Sequence, residues 1–195
     1  MSIGYQFISS SSGSCNGNFV GIGADACTNS SVRVDSADPW GILITNGEFT
    51  SFTFETDSPQ DHTQVVVSAS NAGAVRFVNS AFWGPSHKVA DIQGTGSVGL
   101  DSCVLNAWDA LKTGQPAILL SGGDLQVRGC DFQSVHPGGQ ILLRAGSGKV
   151  IVTDNLIKGA LNVTNGGAKL AIIENNAPDA SVGEEPVLGG GGAKQ

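Results

Sequence analysis

The sequence predicts an all-β chain that folds as a right-handed, single-stranded parallel β-helix, a solenoid of about six to seven coils. Three observations predict this fold: a composition suited to strands and turns, an apolar pattern that recurs along the chain, and a second apolar pattern ahead of each recurrence. Of 195 residues, 28 are glycine and only 14 % are charged. A helical bundle would carry far more Glu, Lys, Leu and Ala, whereas short strands joined by turns suit this composition.

The recurring pattern is eight residues long, and six copies of it follow one another. Apolar residues hold positions one, three and eight, and a small or polar residue holds position six. Positions one and three share one face of a strand because side chains alternate between faces. Position six marks a tight bend, and position eight begins a second strand. The copies are residues 42–49, 75–82, 98–105, 125–132, 150–157 and 170–177.

A third strand is predicted ahead of each copy, where two apolar residues flank one other residue. These pairs are Val32/Val34, Val65/Val67, Ala90/Ile92, Ile118/Leu120, Ile141/Leu143 and Leu161/Val163. Three strands per repeat describe one coil of a β-helix, and coils stacked about 4.8 Å apart bury each other's inward faces. The main alternative is an antiparallel sandwich, which does not predict the same register of Asn, Cys and aliphatic residues in every repeat.

Position six predicts a column of inward side chains at the bend. Inward asparagines there can bond the backbone of their own turn and the asparagine above. Cys103 and Cys130 are adjacent in the column, either as two buried thiols, which we favour, or as a disulfide. Cys15 and Cys27 could close a loop if the protein is extracellular. The column is Gly47, Ser80, Cys103, Cys130, Asn155 and Asn175.

The domain organisation follows from where these patterns stop. We predict a parallel β-helix domain over residues 1–177, in which residues 1–30 form an irregular first coil or cap with one or two strands. Residues 178–195 are predicted to be a flexible glycine-rich tail. The start of the chain lacks the basic and apolar segments of a signal peptide, and we interpret the chain as a fragment of a longer protein.

Charge and hydropathy exclude two classes of partner. The net charge is −7 with ten Lys and Arg in total, so we expect no nucleic-acid binding, which relies on clustered basic residues. No apolar run approaches the eighteen residues of a membrane-spanning helix, so we expect no membrane partner.

The repeat, with the strand ahead of it, resembles the right-handed parallel β-helix of the pectin-lyase-like superfamily. The segments "VRFVNSAFWGP", "SVGLDSCVLNAWD", "LQVRGCDF" and "GILITNGEF" are more narrowly similar to the C-terminal coils of bacterial pectate-lyase-superfamily and family 28-related glycoside hydrolases. The resemblance spans roughly residues 30–177. It implies a carbohydrate-directed domain and a secreted or extracellular location, but this superfamily also includes tailspikes and adhesins, so the site must decide the function.

The resemblance transfers no catalytic residue. The hydrolases carry Asn-Thr-Asp, Asp-Asp, Gly-His-Gly and Arg-x-Lys motifs, which do not occur here in the required order or spacing, and no outward Asp cluster matches the calcium site of the lyases. We therefore expect no metal and no cofactor. Residues 94–99 match G-x-G-x-x-G, the dinucleotide-binding pattern, but that pattern requires a following helix whose N-terminus holds the pyrophosphate, and here a strand follows. Glycoside hydrolysis needs two facing carboxylates, for which the candidates are Asp91, Asp109 and Asp131.

The loops that follow position eight predict a binding edge, because stacked coils bring them together along one side. Aromatic rings there can pack on the C–H faces of sugars, beside polar groups that bond the hydroxyls. The alternative is that the tryptophans fold back over the corner of the solenoid. The candidate substrate-binding residues are Trp83, His87, Trp108 and His136, with Phe52 and Phe54 extending the row.

An outward apolar column of Val66, Leu119 and Leu142 predicts a cover: a loop within residues 50–63, a missing part of a longer chain, or a homo-oligomer contact.

The leading functional hypothesis is a carbohydrate-directed β-helix domain that serves as a scaffold and binds a polysaccharide or other glycan. The alternatives are a glycoside hydrolase or polysaccharide lyase with an atypical site, and a structural solenoid like that of tailspikes or adhesins.

Overall fold

The protein forms a parallel β-solenoid of seven coils in the computed structural model, which describes residues 3–51, 62–135 and 137–179. Each coil contributes one strand to each of three parallel sheets, and strands pair with their counterparts in the neighbouring coils. The predicted all-β solenoid and its number of coils are confirmed.

The first sheet holds the strands that precede each repeat: β1 (Ile3–Phe7), β4 (Ser30–Val34), β7 (Val65–Val67), β10 (Ala90–Ile92), β13 (Ile118–Leu120), β16 (Ile141–Leu143) and β19 (Val163–Asn165). The second sheet holds β2 (Gly17–Val20), β5 (Ile42–Thr45), β8 (Val75–Val78), β11 (Ser97–Asp101), β14 (Gly123–Arg128), β17 (Ser147–Thr153) and β20 (Leu170–Glu174). The third sheet holds β3 (Gly23–Asp25), β6 (Glu48–Thr50), β9 (Ala81–Trp83), β12 (Val104–Asn106), β15 (Asp131–Phe132), β18 (Leu156–Ile157) and β21 (Ala177–Pro178).

The core is a set of side-chain columns that run along the solenoid axis. Position eight of the repeat supplies Phe49, Phe82 and Phe132, all fully buried. Phe49 and Phe82 stack with ring centroids 5.3 Å apart. Burial of each such ring contributes on the order of 2–3 kcal/mol, and every coil depends on its neighbours for that burial.

Each coil turns from the second sheet into the third through one residue with left-handed backbone conformation. This residue stands at position five, one before the predicted bend. Asparagine, aspartate and glycine adopt this conformation at lower cost than most residues. The position-five residues of the first five repeats are Asn46 (φ 54°), Asn79 (φ 49°), Ser102 (φ 55°), Gly129 (φ 61°) and Asp154 (φ 61°), and in the last coil Asn175 (φ 55°), one residue later than the predicted alignment, takes this place.

Position six then points inward and forms a hydrogen-bonded column. Its side chain donates to the carbonyl of position three in the preceding coil: Cys103 Sγ to Phe77 O, Cys130 Sγ to Leu100 O, Asn155 Nδ2 to Val127 O, and Asn176 Nδ2 to Val152 O. Asn155 Oδ1 also accepts from Cys130 N at 2.8 Å. The column therefore adds hydrogen bonds between coils and, at Cys130, satisfies a backbone N–H of the bend itself.

The four cysteines are free thiols. Cys103 and Cys130 are both buried in the column, so the favoured thiol interpretation is confirmed. The pKa of Cys130 is raised by its hydrogen bond with Cys103 and by burial, which keeps this thiol protonated.

The prediction for the last coil was wrong in register. Leu170 pairs with Lys149, and Ala171 pairs with Val150, one residue away from the predicted alignment. Asn176, not Asn175, therefore bonds Asn155, with Nδ2 of Asn155 donating to Asn176 Oδ1 at 2.8 Å. The reason is that Asn175 occupies the left-handed position that Asp154 holds one coil earlier.

The first-sheet strand of that coil is shifted by two residues. Val163 pairs with Ile141 and Asn165 with Leu143, where Leu161 and Val163 were predicted. Asn165 tolerates this place because its side chain is exposed and accepts the backbone N–H groups of Gly167 and Ala168 at 3.0 and 2.9 Å. The first coil has three regular strands, one more than predicted. The predicted tail lies outside the described residues from residue 180 onward.

Candidate functional site

The outward side of the third sheet carries two parallel columns of side chains, which we call the third-sheet face. Positions seven and nine of each repeat point outward there, on either side of the buried position eight. The strand pairing aligns Gly23 of the first coil with Glu48, Ala81, Val104, Asp131, Leu156 and Ala177 in the position-seven column. The position-nine column begins with Asp25 of the first coil and continues with Thr50, Trp83, Asn106, Gln133, Lys158 and Asp179.

An open groove of about 550 Å³ lies on the last coils of this face, within the range of small-molecule sites. Its lining offers hydrogen-bond donors from amides and a lysine and hydrogen-bond acceptors from amides and carboxylates. It also offers apolar surface, because Leu156 is 59 % exposed. The lining residues are Asn106, Asp131, Gln133, Leu156, Ile157, Lys158, Ala177 and Asp179.

The polar groups of the groove are held in place by one another. Gln133 Nε2 donates to Asp131 Oδ2 at 2.8 Å, and Ser134 Oγ donates to Asn106 Oδ1 at 2.6 Å. Ser134 Oγ also accepts from Ala107 N at 2.7 Å. These contacts set the directions in which the amides and the carboxylate present their remaining donors and acceptors.

Trp83 continues the position-nine column beyond the groove. It ends β9, pairs with Asn106 of the next coil, and is 37 % exposed. Its carbonyl accepts from Gln64 Nε2 at 2.9 Å, and the same amide donates to Phe49 O at 2.8 Å. The buried Gln64 therefore ties the ends of β6 and β9 together and fixes the backbone that carries Trp83.

The other predicted sugar-binding residues lie elsewhere. Trp108 is fully buried and packs edge-on against Phe132 with ring centroids 6.2 Å apart, so its ring belongs to the core. His87 is half-buried, and its carbonyl accepts from Asp109 N at 2.8 Å. His136, Phe52 and Phe54 lie outside the described residues.

The three candidate carboxylates occupy three different environments. Asp131 lines the groove. Asp91 lies on the first sheet, with Lys88 Nζ 3.3 Å from its Oδ2 and Gln93 Nε2 3.2 Å from its Oδ1. The structure therefore does not bring Asp91 and Asp131 to one face.

Asp109 is fully buried within the loop that follows β12. Its Oδ1 accepts from Thr113 N at 2.9 Å and Thr113 Oγ1 at 3.0 Å, and its Oδ2 accepts from Gly114 N at 2.9 Å. These bonds organise the loop, which explains the burial of a carboxylate that forms no ion pair with another described residue.

The outward apolar column of the first sheet has the predicted alignment, in which Leu119 pairs with Leu142 and Asp91 pairs with Val66. Leu119 is buried, whereas Val66 and Leu142 are half-buried. Most of the loop predicted to cover this column, residues 52–61, lies outside the described residues.

A buried histidine cluster was missed by the sequence analysis. Ser51 Oγ and His62 Nδ1 are 2.9 Å apart, and His62 N donates to Ser86 Oγ at 2.7 Å. All three residues are buried, and burial lowers the pKa of His62 to about 4. The sequence feature that could have indicated the cluster is its place: Ser51 and His62 both lie in the long interval between the repeats at residues 42–49 and 75–82. With its ring inaccessible, we interpret the cluster as structural.

This cluster predicts a loss of stability in acid. An unfolded histidine has a pKa near 6.5, so as the pH falls below that value the unfolded chain takes up a proton that folded His62 does not take up until about pH 4. The contribution of neutral His62 to the free energy of unfolding is therefore complete above pH 6.5. We expect it to fall by about 3 kcal/mol when the pH is lowered to 4. Urea unfolding at pH 7.5 and pH 4.0 measures this loss.

The test variant is His62→Gln, which should flatten the pH dependence of the free energy of unfolding. An equal pH dependence in the parent protein and His62→Gln would contradict the assignment.

Comparison of the chain with protein-family models, curated proteins and solved structures gave no match. The likeness to the pectin-lyase-like superfamily therefore stays a prediction, and the β-solenoid stands on the structure alone. Among the described residues, no three His, Cys, Asp or Glu side chains are grouped so that they could hold a metal ion. The same part of the chain has no helix with the length and apolar character of a membrane span.

Proposed function

We propose that this chain is a carbohydrate-directed solenoid domain that binds a glycan along the third-sheet face. The observation that carries the proposal is the groove, where amide, carboxylate and ammonium groups from successive coils stand beside exposed Leu156. A sugar chain needs this combination, because its hydroxyls require donors and acceptors while its C–H faces require apolar contact.

The scaffold adds regular spacing and rigidity. Successive coils place Trp83, Asn106, Gln133 and Lys158 about 4.8 Å apart along one direction, so an extended chain can contact several of them at once. Because these residues lie on or directly beside hydrogen-bonded strands, binding costs little ordering of the backbone.

A second candidate function is that of a structural, self-associating solenoid. Ile151, Leu170 and Ile172 are exposed and lie next to one another on the outward side of β17 and β20. Three exposed aliphatic side chains on two paired strands suit a subunit contact.

Trp83→Ala tests the proposed binding. We expect it to weaken, by about tenfold, the binding of whichever soluble polysaccharide the parent protein binds most tightly, because one aromatic stacking contact is lost. Native affinity electrophoresis in gels that contain the polysaccharide measures the change.

The matched control is Trp40→Ala. Trp40 is 90 % exposed and precedes β5, on a different corner of the coil from the third sheet, so we expect the variant to bind as the parent protein does. If no glycan binds and light scattering shows a stable trimer, the structural candidate replaces the proposal.

A further inference from the structure

The third-sheet face carries more negative than positive charge. Its outward positions among the described residues include Asp25 and Glu48 in the first coils, Asp131 in the groove and Asp179 at its end. Lys158 is the one basic residue at those positions.

The ion pairs of the described residues lie away from this face. Arg33 pairs with Asp35 beside the first sheet, Lys88 pairs with Asp91 on that sheet, and Arg128 pairs with Asp101 on the second sheet. The acids of the third-sheet face are exposed or half-exposed. They therefore keep their negative potential toward a ligand, within a Debye length of about 8 Å at physiological salt.

We infer that the third-sheet face selects an uncharged polysaccharide and rejects polyuronates and other anionic glycans; the inference rests on the proposed function. A uronate-binding groove needs arginine or lysine opposite each carboxylate, and this groove offers Lys158 alone among its described lining residues. Sugar hydroxyls, by contrast, donate strong charge-assisted hydrogen bonds to carboxylates such as Asp131.

The experiment compares ligands that differ in charge. Galactomannan, xyloglucan and mixed-linkage β-glucan are the neutral probes, and polygalacturonate and alginate are the anionic ones, each in affinity gels at 20 and 200 mM NaCl. We expect clear retention by at least one neutral polymer and only weak, measurable retention by the polyuronates at low salt.

Isosteric variants test the cause. Asp131→Asn and Asp179→Asn should each raise the ratio of polyuronate to neutral-glycan affinity by about threefold at 20 mM NaCl, and the double variant by about tenfold. The gain should shrink at 200 mM NaCl, where screening is stronger. Asp154→Asn makes the same charge change at an exposed bend outside this face and should leave the ratio unchanged.

The outcomes separate the two proposals. Binding of no glycan at all would overturn the proposed function. Binding of polyuronate as tight as that of the neutral polymers, or an unchanged ratio in the double variant, would overturn the inference alone.

Discussion

Gly123→Ala is expected to lower the free energy of unfolding by about 4 kcal/mol or more, a large share of the stability of a typical domain. Gly123 has a φ of 69°, and a Cβ there would lie 2.2 Å from Gly96 O and 2.7 Å from Gly94 O. Both oxygens belong to the backbone of the preceding coil, so no side-chain rotation relieves the overlap and the two coils must separate. Urea unfolding followed by circular dichroism measures the loss.

Gly21→Ala is the matched control. Gly21 has nearly the same conformation, with a φ of 67°, but a Cβ there would meet nothing within 4 Å. We expect a cost of about 1 kcal/mol, the strain of a left-handed alanine alone. Equal losses in the two variants would show that backbone strain, rather than the close approach of coils, accounts for the requirement for glycine at residue 123.

The register of the second to sixth coils could be predicted because, in each of these repeats, only one register buries two apolar residues of the strand. Ile42 pairs with Val75, and Val75 pairs with Val98, as the alignment of copies predicted. The last copy carries no such information. In residues 170–173 all four side chains are apolar, so two registers bury equally apolar sets, and the adjacent Asn175 and Asn176 each suit the bend.

The site could be predicted only where it follows the repeat. Trp83 stands at position nine and points outward, as the predicted edge requires. Trp108 lies two residues beyond that position, in a loop whose course depends on the local bonds of Asp109, and no periodic pattern reports on it. Gln133 and Lys158 also stand at position nine, but they could not be singled out because a polar residue at an outward position is equally typical of a solvated surface.

Asn155→Ala is expected to cost about 4 kcal/mol. Asn155 is fully buried, and the truncation leaves Cys130 N and Val127 O without their partner at the bend. Each buried polar group that loses its partner costs about 1–3 kcal/mol, and the space vacated by the amide adds a cavity term. Urea unfolding of the variant and the parent protein at pH 7.5 measures the difference.

Asn155→Cys separates hydrogen bonding from side-chain volume. Cys130 holds the same position one coil earlier, where its Sγ donates to Leu100 O as Asn155 Nδ2 donates to Val127 O. A cysteine at residue 155 can therefore repeat the thiol's bond, and we expect it to recover about half of the loss caused by alanine. Serine, cysteine and asparagine all stand in this column, and each pairs there with the backbone of the preceding coil. An equal loss in the alanine and cysteine variants would contradict that account and assign the effect of the alanine variant to packing.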